Sequence, residues 1–479
     1  MPPAISPSEL ASHNTLGSLW IAVDGLVYDF TDFAPTHPGG LSVLLEHAGK
    51  DGTEAYRAVH APSLLQSMLP ASQHLGHLSS PLPLPRPPTP QPSTTRKPPL
   101  SSLISVNDFR LAAHTFLPPK TLAFVSSAAT DCHTHHRNST AYSEITLRPR
   151  VLVDVSAPVS LATTILGQPV SSPVFVSPTS LGKTVHPEGE REIARACRER
   201  GGVAQVISTS ASFSVADVVQ AALDHPSPAG HDPTTTNIPV FLQLYVDKHA
   251  PNTEALLHSL TSPTNTTTTG PKIKGVFLTV DAPVPGKREA DERIPSQNTP
   301  TTTTPMATQL TPLTDTHGSA LGRLMASYIS PSLTWTTTLP WLRSHLPPQT
   351  PLVIKGIQTA ADAVRAVEAG VDGILLSNHG GRSVDGAPAA VVVLLELQRC
   401  CPGVGVGRGV LYGLGYGKEG VKRVLEILDD ELVTTMKMCG VTSLDQLHPG
   451  LLNTRAIDHL VPDSLSEEHP YAKWRRSKI

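Results

Sequence analysis

The stretch Gly373-Ile374-Leu375-Leu376-Ser377-Asn378-His379-Gly380-Gly381-Arg382 decides the fold, because a short apolar strand runs directly into a polar, glycine-rich loop. Comparable apolar runs recur along the chain, with helical patterns such as 187–200 and 360–369 between them. The runs cover residues 173–176, 203–207, 240–245, 275–280, 352–354, 373–376 and 403–407. This alternation predicts a parallel sheet, and polar residues just after the strands predict a barrel with its site at the C-terminal rim. The count is seven strand units, one fewer than a complete eight-stranded barrel contains.

The rim residues form a pattern typical of proton removal from a substrate that carries a carboxylate. Arg382 can bind the carboxylate with two parallel hydrogen bonds while His379, three residues earlier, accepts a proton. Asp281 follows the strand 275–280 and can orient His379, and Arg288 can support the carboxylate or a developing oxyanion. Lys355, at the end of the strand 352–354, is placed to contact the electron-rich pyrimidine of a flavin.

Other roles stay open for single members of this set. Asp281 can instead cap a following helix, and Lys355 can point into solvent. Arg288 lies in the charged run 287–293, a composition that usually indicates a protein surface.

A different pattern, built around two histidines, occupies the N-terminal region. His37 precedes a tight turn at Pro38-Gly39-Gly40, and His60 follows a helical stretch and a glycine-containing turn at 49–53. Two imidazoles on opposite walls of a pocket leave a haem iron no open position, so such an iron only transfers electrons. The chain contains 21 histidines, most of which are expected to be solvated or to lie in the core, so the surrounding segments decide the assignment.

Those segments resemble two known families. Residues 5–78 match the cytochrome b5 family in order and spacing, in the stretches 6–10, 13–14, 20–29 and 48–53. The rim motifs resemble the FMN-dependent 2-hydroxy acid dehydrogenases and oxidases, in the stretches 174–212, 243–245, 279–283, 354–356 and 377–382. The resemblance implies an α+β cytochrome b5-like domain at 1–78, a proline-rich linker at 79–104 and an α/β TIM-type barrel at 105–479 that lacks one strand-helix unit near 402–403.

The resemblance also implies a role for each matching residue. It makes His37 and His60 the axial ligands of haem b. It places FMN against Thr179, Ser180, Ser208, Gln243, Thr279, Lys355, Gly407 and Arg408. It makes Tyr245, Asp281, Arg288, His379 and Arg382 the substrate-binding and catalytic residues.

The implied function is the oxidation of an L-2-hydroxy acid, with L-lactate as the first candidate, to the 2-keto acid. Electrons would pass through FMN and haem b to an acceptor such as cytochrome c, in a homotetramer. A haem-binding electron carrier with an inactive or flavin-poor barrel is the alternative, because the missing unit carries an Asp-Gly-Gly-x-Arg phosphate motif in the family. A further departure is Phe124-Val125, which stands where the family has a pair of tyrosines.

Composition narrows the remaining possibilities. A length of 479 residues predicts two or three domains, and a net charge of -3 gives no support for nucleic acid binding. Five scattered cysteines indicate a reducing compartment, and threonine-rich patches such as 299–304 are expected to be surface loops. We expect no membrane span and no leader peptide. The tail Ser477-Lys478-Ile479 is one conservative change from a peroxisomal address, so cytosol and peroxisome are both expected compartments.

Overall fold

The structure, a computed structural model, describes residues 3–37, 41–59, 65, 69–79, 97–226, 239–261, 273–294, 328–397 and 403–462. The predicted haem ligand His60 lies outside these residues, as do residues 80–96 of the predicted linker and the threonine-rich patches. The C-terminal tripeptide lies outside them as well. Every described helix is too short or too polar to span a lipid bilayer.

The N-terminal region forms a five-stranded sheet with the order β1-β5-β4-β3-β2. Its strands are Ala4–Ile5, Asn14–Thr15, Ser18–Val23, Leu26–Asp29 and His74–Leu78, numbered β1 to β5 in chain order. Its helices are Pro7–Ser12, Leu41–His47 and Thr53–Val59. Asp24 and Gly25, both with positive φ, make the tight turn between β3 and β4. The fold agrees with the α+β domain expected for this region.

Seven parallel strands form the larger sheet, as the sequence predicts. They are Val174–Val176, Gln205–Ser208, Val240–Leu244, Val276–Thr279, Leu352–Ile357, Gly373–Leu376 and Val404–Val406, numbered β9 to β15. Their order is β14-β13-β12-β11-β10-β9-β15. Among the described residues β14 pairs only with β13, and β15 pairs only with β9. The sheet is therefore a TIM-type barrel that is open between β14 and β15, where the strand-helix unit is missing.

Helices cover the outside of this sheet. They are Val106–Phe116, Pro119–Ser126, His133–Ser143, Gly189–Glu199, Val215–Leu223, Ala250–Thr261, Glu289–Glu292, Trp335–Ser344, Ala360–Glu368, Ala390–Leu397, Arg408–Leu414 and Gly417–Met438. Short strands complete the fold at Thr146–Leu147, Thr163–Ile165, Gln168–Val170 and Leu452–Asn453, numbered β6, β7, β8 and β16. The last two helices pack closely where Gly420 faces Gly413. A Cβ added at Gly420 would lie 2.1 Å from the carbonyl oxygen of Gly413, so a side chain would not fit there.

The alternation of side chains along the strands separates the barrel floor from its site. The apolar residues Val206, Phe241, Phe277 and Val353 belong to one buried cluster inside the sheet. Because strand side chains alternate with a period of two, the residue two positions later on each strand faces the same interior. These next residues are Ser208, Gln243, Thr279 and Lys355, all of which are polar. The floor is thus apolar, and the layer above it, toward the C-terminal ends, is polar.

Candidate active site and cofactor sites

The polar layer is a chain of hydrogen bonds across three neighbouring strands. Ser208 Oγ donates to Gln243 Oε1 at 2.8 Å, and Gln243 Nε2 donates to Thr279 Oγ1 at 2.9 Å. Ser180 Oγ, from the loop after β9, lies 3.4 Å from Ser208 Oγ. Thr179 precedes Ser180 on that loop and is half-buried. The predicted flavin-binding residues of these strands are therefore brought together.

Lys355 completes this layer as a buried cation without a hydrogen bond. Its Nζ lies 3.8 Å from Asp281 Oδ2, and neither atom has a hydrogen-bond partner among the described residues. A buried ammonium in that condition is costly unless a further acceptor is supplied. The electron-rich edge of a flavin ring offers such an acceptor, so the residues of the layer fit the ring of FMN. The alternative that Lys355 points into solvent is wrong, since the residue is only 7 % exposed.

His379 lies between a carboxylate and a phenol. Its Nδ1 is 2.9 Å from Asp281 Oδ1, and its Nε2 is 3.3 Å from Tyr245 Oη. The carboxylate accepts a hydrogen bond, so Nδ1 carries the proton and Nε2 presents the lone pair. Asp281 thus orients the imidazole rather than capping a helix, and Nε2 has the character of a base.

The loop that carries His379 is held by contacts that the sequence did not reveal. His379 adopts φ 58°, a left-handed conformation that is uncommon for a residue with a side chain, and its N–H donates to Ser377 Oγ. The buried Asn378 exchanges two amide hydrogen bonds with Asn138, at 2.7 and 2.8 Å, and also donates to the Pro388 carbonyl. Asn138 lies 240 positions away in sequence and has no motif to mark it.

Burial and neighbouring charges set the protonation states. Burial lowers the pKa of His379, and the Lys355 charge lowers it further, whereas Asp281 opposes both. Burial raises the pKa of Asp281, yet the Lys355 charge and the hydrogen bond from His379 outweigh burial, and the net pKa is lowered. The imidazole is therefore neutral and the carboxylate charged near neutral pH, which is the combination that a general base requires.

Two guanidinium groups, the half-buried Arg382 and the buried Arg288, stand beside this base. Arg382 donates from Nη2 to the Phe124 carbonyl at 2.8 Å, and burial together with Arg288 lowers its pKa. Arg288 is 6 % exposed, which excludes the surface position that its charged run suggested. The two Cζ atoms lie 4.9 Å and 5.8 Å from the centroid of the Phe124 ring. A substrate carboxylate would relieve the repulsion between these cations. Phe124, which lies beside them, stands where the family resemblance leads one to expect a tyrosine.

Arg408, predicted to contact the FMN phosphate, makes three contacts with backbone. Its Nε donates to the Val125 carbonyl at 3.1 Å, its Nη1 to the Gly380 carbonyl at 3.0 Å and its Nη2 to the Ser127 carbonyl at 2.9 Å. Gly407 precedes it at the start of the helix Arg408–Leu414. Arg408, the cation predicted to contact the phosphate, is thus already engaged by backbone, whereas Lys355, the cation predicted to contact the ring, has no hydrogen-bond partner among the described residues.

The N-terminal sheet places His37 beside an apolar cluster. His37 ends a short 3-10 helix at Ala34–Thr36 and is half-buried, with its ring 5.7 Å from the Phe33 ring in an edge-on arrangement. The adjacent buried cluster contains Leu19, Ile21, Val23, Tyr28, Phe30, Ala34, Leu44, Ala48, Tyr56, Leu65 and Leu69. An imidazole next to an apolar core suits one axial position of a haem.

Family models match almost the whole described chain. The model for "FMN-dependent dehydrogenase" matches residues 113–404 and 401–454. The chain belongs to this family. The model for a "Cytochrome b5-like Heme/Steroid binding domain" matches residues 6–79. The two segments matched by the FMN-dependent dehydrogenase model overlap at 401–404, at the start of β15, beside the opening in the sheet.

Individual relatives match the chain over different lengths. The chain is 36% identical to an L-lactate dehydrogenase (cytochrome) of Saccharomyces cerevisiae, over 94% of this chain and 79% of the relative. It is 35% identical to a peroxisomal (S)-2-hydroxy-acid oxidase of Oryza sativa subsp. japonica, over 72% of this chain and 94% of the relative. A solved structure of a mutant flavocytochrome b2 with pyruvate bound has 34% identity and a TM-score of 0.62, covering 76% of this chain and 89% of that one. The chain is thus an FMN- and haem-dependent oxidoreductase.

Proposed function

We propose that this FMN-dependent dehydrogenase oxidises an L-2-hydroxy acid, with L-lactate as the first candidate, to the 2-keto acid and delivers the electrons to cytochrome c. The observation that carries the proposal is the cluster of His379, Asp281, the buried Arg288 and the half-buried Arg382 beside the polar layer of the strands. The relatives named above, one of them an L-lactate dehydrogenase (cytochrome), support the substrate and the acceptor.

The proposed roles of the catalytic residues follow from their contacts. Arg382 and Arg288 bind the substrate carboxylate, and Tyr245 orients the substrate beside His379. The reaction removes two electrons and two protons from the H–C–O–H unit, and His379 accepts one of these protons at Nε2. Asp281 then stabilises the imidazolium through its bond to Nδ1. The roles are consistent with the protonation states that burial and Lys355 impose.

The cofactor positions form the second part of the proposal. FMN, when bound, supplies the two-electron acceptor, and haem b supplies a one-electron carrier toward the final acceptor. Thr179, Ser180, Ser208, Gln243, Thr279 and Lys355 hold the flavin ring, and Gly407 and Arg408 are the candidates at its phosphate end. His37 and His60 are the proposed axial ligands of the haem.

Spectroscopy with a turnover assay tests the function. The purified chain should show the Soret band and sharp reduced bands of haem b, release FMN on denaturation, and reduce cytochrome c when L-lactate is added. Haem bands that L-lactate fails to reduce, even with saturating FMN, would overturn the proposal in favour of a haem-binding electron carrier with an inactive barrel. Rapid oxidation of the reduced protein by oxygen alone would instead indicate an oxidase, a route against which the haem-binding domain argues.

The haem assignment has its own test. His37→Ala and His60→Ala should each remove the low-spin bis-imidazole spectrum and leave the barrel folded, provided that residues 1–78 and 105–479 are separate domains joined by 79–104. Limited proteolysis should then cut in the linker and release both parts intact. A bis-imidazole spectrum in both variants would refute the ligands.

Assembly and compartment complete the proposal. A homotetramer is expected from the family resemblance, and light scattering of the purified protein measures it. A fluorescent fusion that keeps Ser477-Lys478-Ile479 free distinguishes the two compartments, since a punctate signal that follows a peroxisomal marker assigns the peroxisome and a diffuse signal assigns the cytosol.

A further inference from the structure

The opening between β14 and β15, called the seam below, leaves two strand edges unpaired among the described residues. Unpaired edges of parallel strands are a liability, because their backbone groups can pair with other chains. The contacts that cross the seam therefore determine whether the open barrel keeps its shape.

At the base of the seam, the turn of the β7–β8 hairpin contacts both edges. A Cβ added at Gly373, the first residue of β14, would lie 3.4 Å from Leu166 Cδ2. A Cβ added at Gly403, directly before β15, would lie 3.1 Å from Ile165 Cδ1. One apolar turn thus spans the base of the opening.

At the rim, the crossing contact is made by Arg408. This residue lies two positions after the end of β15, and its Nη1 donates to the carbonyl of Gly380 in the loop after β14. Nε and Nη2 of the same guanidinium donate to Val125 and Ser127, at the end of the helix Pro119–Ser126 and just after it. The guanidinium therefore ties three segments together where the missing unit would have separated β14 from β15.

These contacts also limit what else Arg408 can bind. A guanidinium grips a phosphate through pairs of parallel N–H groups, and Nε with Nη2 is one such pair. Both of its nitrogens here donate to carbonyl oxygens, and Nη1, which belongs to the other pair, donates to Gly380. A phosphate gripped through Nε and Nη2 would have to displace the Val125 contact, because Nε carries a single N–H, and only the second N–H groups of Nη1 and Nη2 are left for it.

We propose that Arg408 is the clasp that closes the rim of the open barrel, and that the site consequently recognises the flavin ring with little preference for the phosphate. The second half rests on the proposed function, since it assumes that the polar layer binds flavin. FMN and riboflavin, which differ only in the phosphate, should then bind with similar affinity.

Two measurements on the full-length protein test the two halves separately. The first compares the thermal midpoint of the barrel in Arg408→Ala and Arg408→Lys with the native chain, with Arg365→Ala as a control that removes an exposed arginine. Loss of the three carbonyl contacts should lower the midpoint by about 5 °C in Arg408→Ala, whereas Arg365→Ala should change it little. The second measures the dissociation constants of FMN and riboflavin by quenching of flavin fluorescence.

In the native chain the two dissociation constants should agree within about threefold, and their ratio should be unchanged in Arg408→Lys. If Arg408 instead bound the phosphate, the affinity for FMN would exceed that for riboflavin by more than about a hundredfold. A ratio above a hundred that disappears in Arg408→Ala would overturn the proposal. Equal midpoints for Arg408→Ala and Arg365→Ala would overturn the clasp. Failure to bind either flavin would refute the proposed function, and the thermal comparison would still decide the clasp.

Discussion

The two ends of the flavin groove differ in how the sheet supports them. The ring end lies on β10, β11, β12 and β13, each of which pairs with a neighbour on both sides and is buried along its length. The proposed phosphate end lies beside the opening between β14 and β15, each of which is paired on one side only among the described residues and is partly exposed. The difference teaches that the residues proposed for the flavin ring and those proposed for its phosphate lie on separate strands, so one set can be lost without the other.

The catalytic loop stands between these two ends. His379 follows β14, which is an edge strand, yet its imidazole is fixed toward the paired side by Asp281. Asn378 ties the loop to Asn138 on a helix, and Arg408 holds Gly380 from across the seam. The contacts with Asp281 and Asn138 do not depend on the missing strand, so they hold the loop on the paired side of the sheet.

The largest expected effect concerns the ring end. His379→Gln should lower L-lactate oxidation by roughly two to four orders of magnitude, because amide groups cannot accept the proton that Nε2 takes. The bound flavin spectrum should remain, since His379 lies outside the polar layer. Steady-state reduction of cytochrome c measures the change.

His258→Gln, at an exposed histidine on the helix Ala250–Thr261, is the matched control and should retain full activity. Undiminished turnover in His379→Gln would show that another group serves as the base.

The next effect separates ring from phosphate. Lys355→Met should weaken FMN and riboflavin alike by about ten- to a hundredfold, the range expected for one charge-assisted hydrogen bond to a buried ligand. Lys437→Met, an exposed lysine in the last turn of the helix Gly417–Met438, should change neither. Fluorescence titration gives both constants, and a loss confined to FMN would place Lys355 at the phosphate instead.

The fold could be predicted from the sequence because hydrophobic periodicity and polar strand ends are local signals. All seven strands were predicted to within about two residues at most ends, and the count of seven is confirmed. The predicted strand 352–354 is shorter than β13, which continues to Ile357. Lys355 and Gly356 interrupt the apolar run, although both are buried in the strand.

What the sequence did not reveal depends on long-range contacts. The amide pair of Asn138 and Asn378 and the three carbonyl contacts of Arg408 join residues that are far apart in the chain. Neither leaves a local pattern, since an asparagine in a helix and an arginine after a glycine have many ordinary roles. The phosphate role that the family resemblance gives Arg408 stays a prediction.

A repaired barrel probes the phosphate end directly. Inserting a strand-helix segment of the family type, with its Asp-Gly-Gly-x-Arg motif, between Pro402 and Gly403 should pair both edges of the seam and supply new phosphate ligands. We expect about tenfold tighter FMN binding at unchanged riboflavin binding, and less aggregation on size-exclusion chromatography. If the native chain already purifies monodisperse with stoichiometric FMN and full activity, the opening is not damage and another segment closes the barrel.

The smallest expected effect is a displacement of the pH profile, and it should be the same in the native and repaired chains. The charged and titratable groups that set the pKa of His379 are Lys355, Asp281 and Arg382, and with burial their net effect lowers it. A base must be neutral, so kcat/KM should fall only when the pH drops through this lowered pKa, below the ordinary value of about 6.5. Because Lys355 and Asp281 belong to the paired side of the sheet, closing the seam should leave the acidic limb in place. A limb at or above 6.5 would show that burial and Lys355 do not control the base, and a limb that moves on repair would show that the two ends of the groove are coupled.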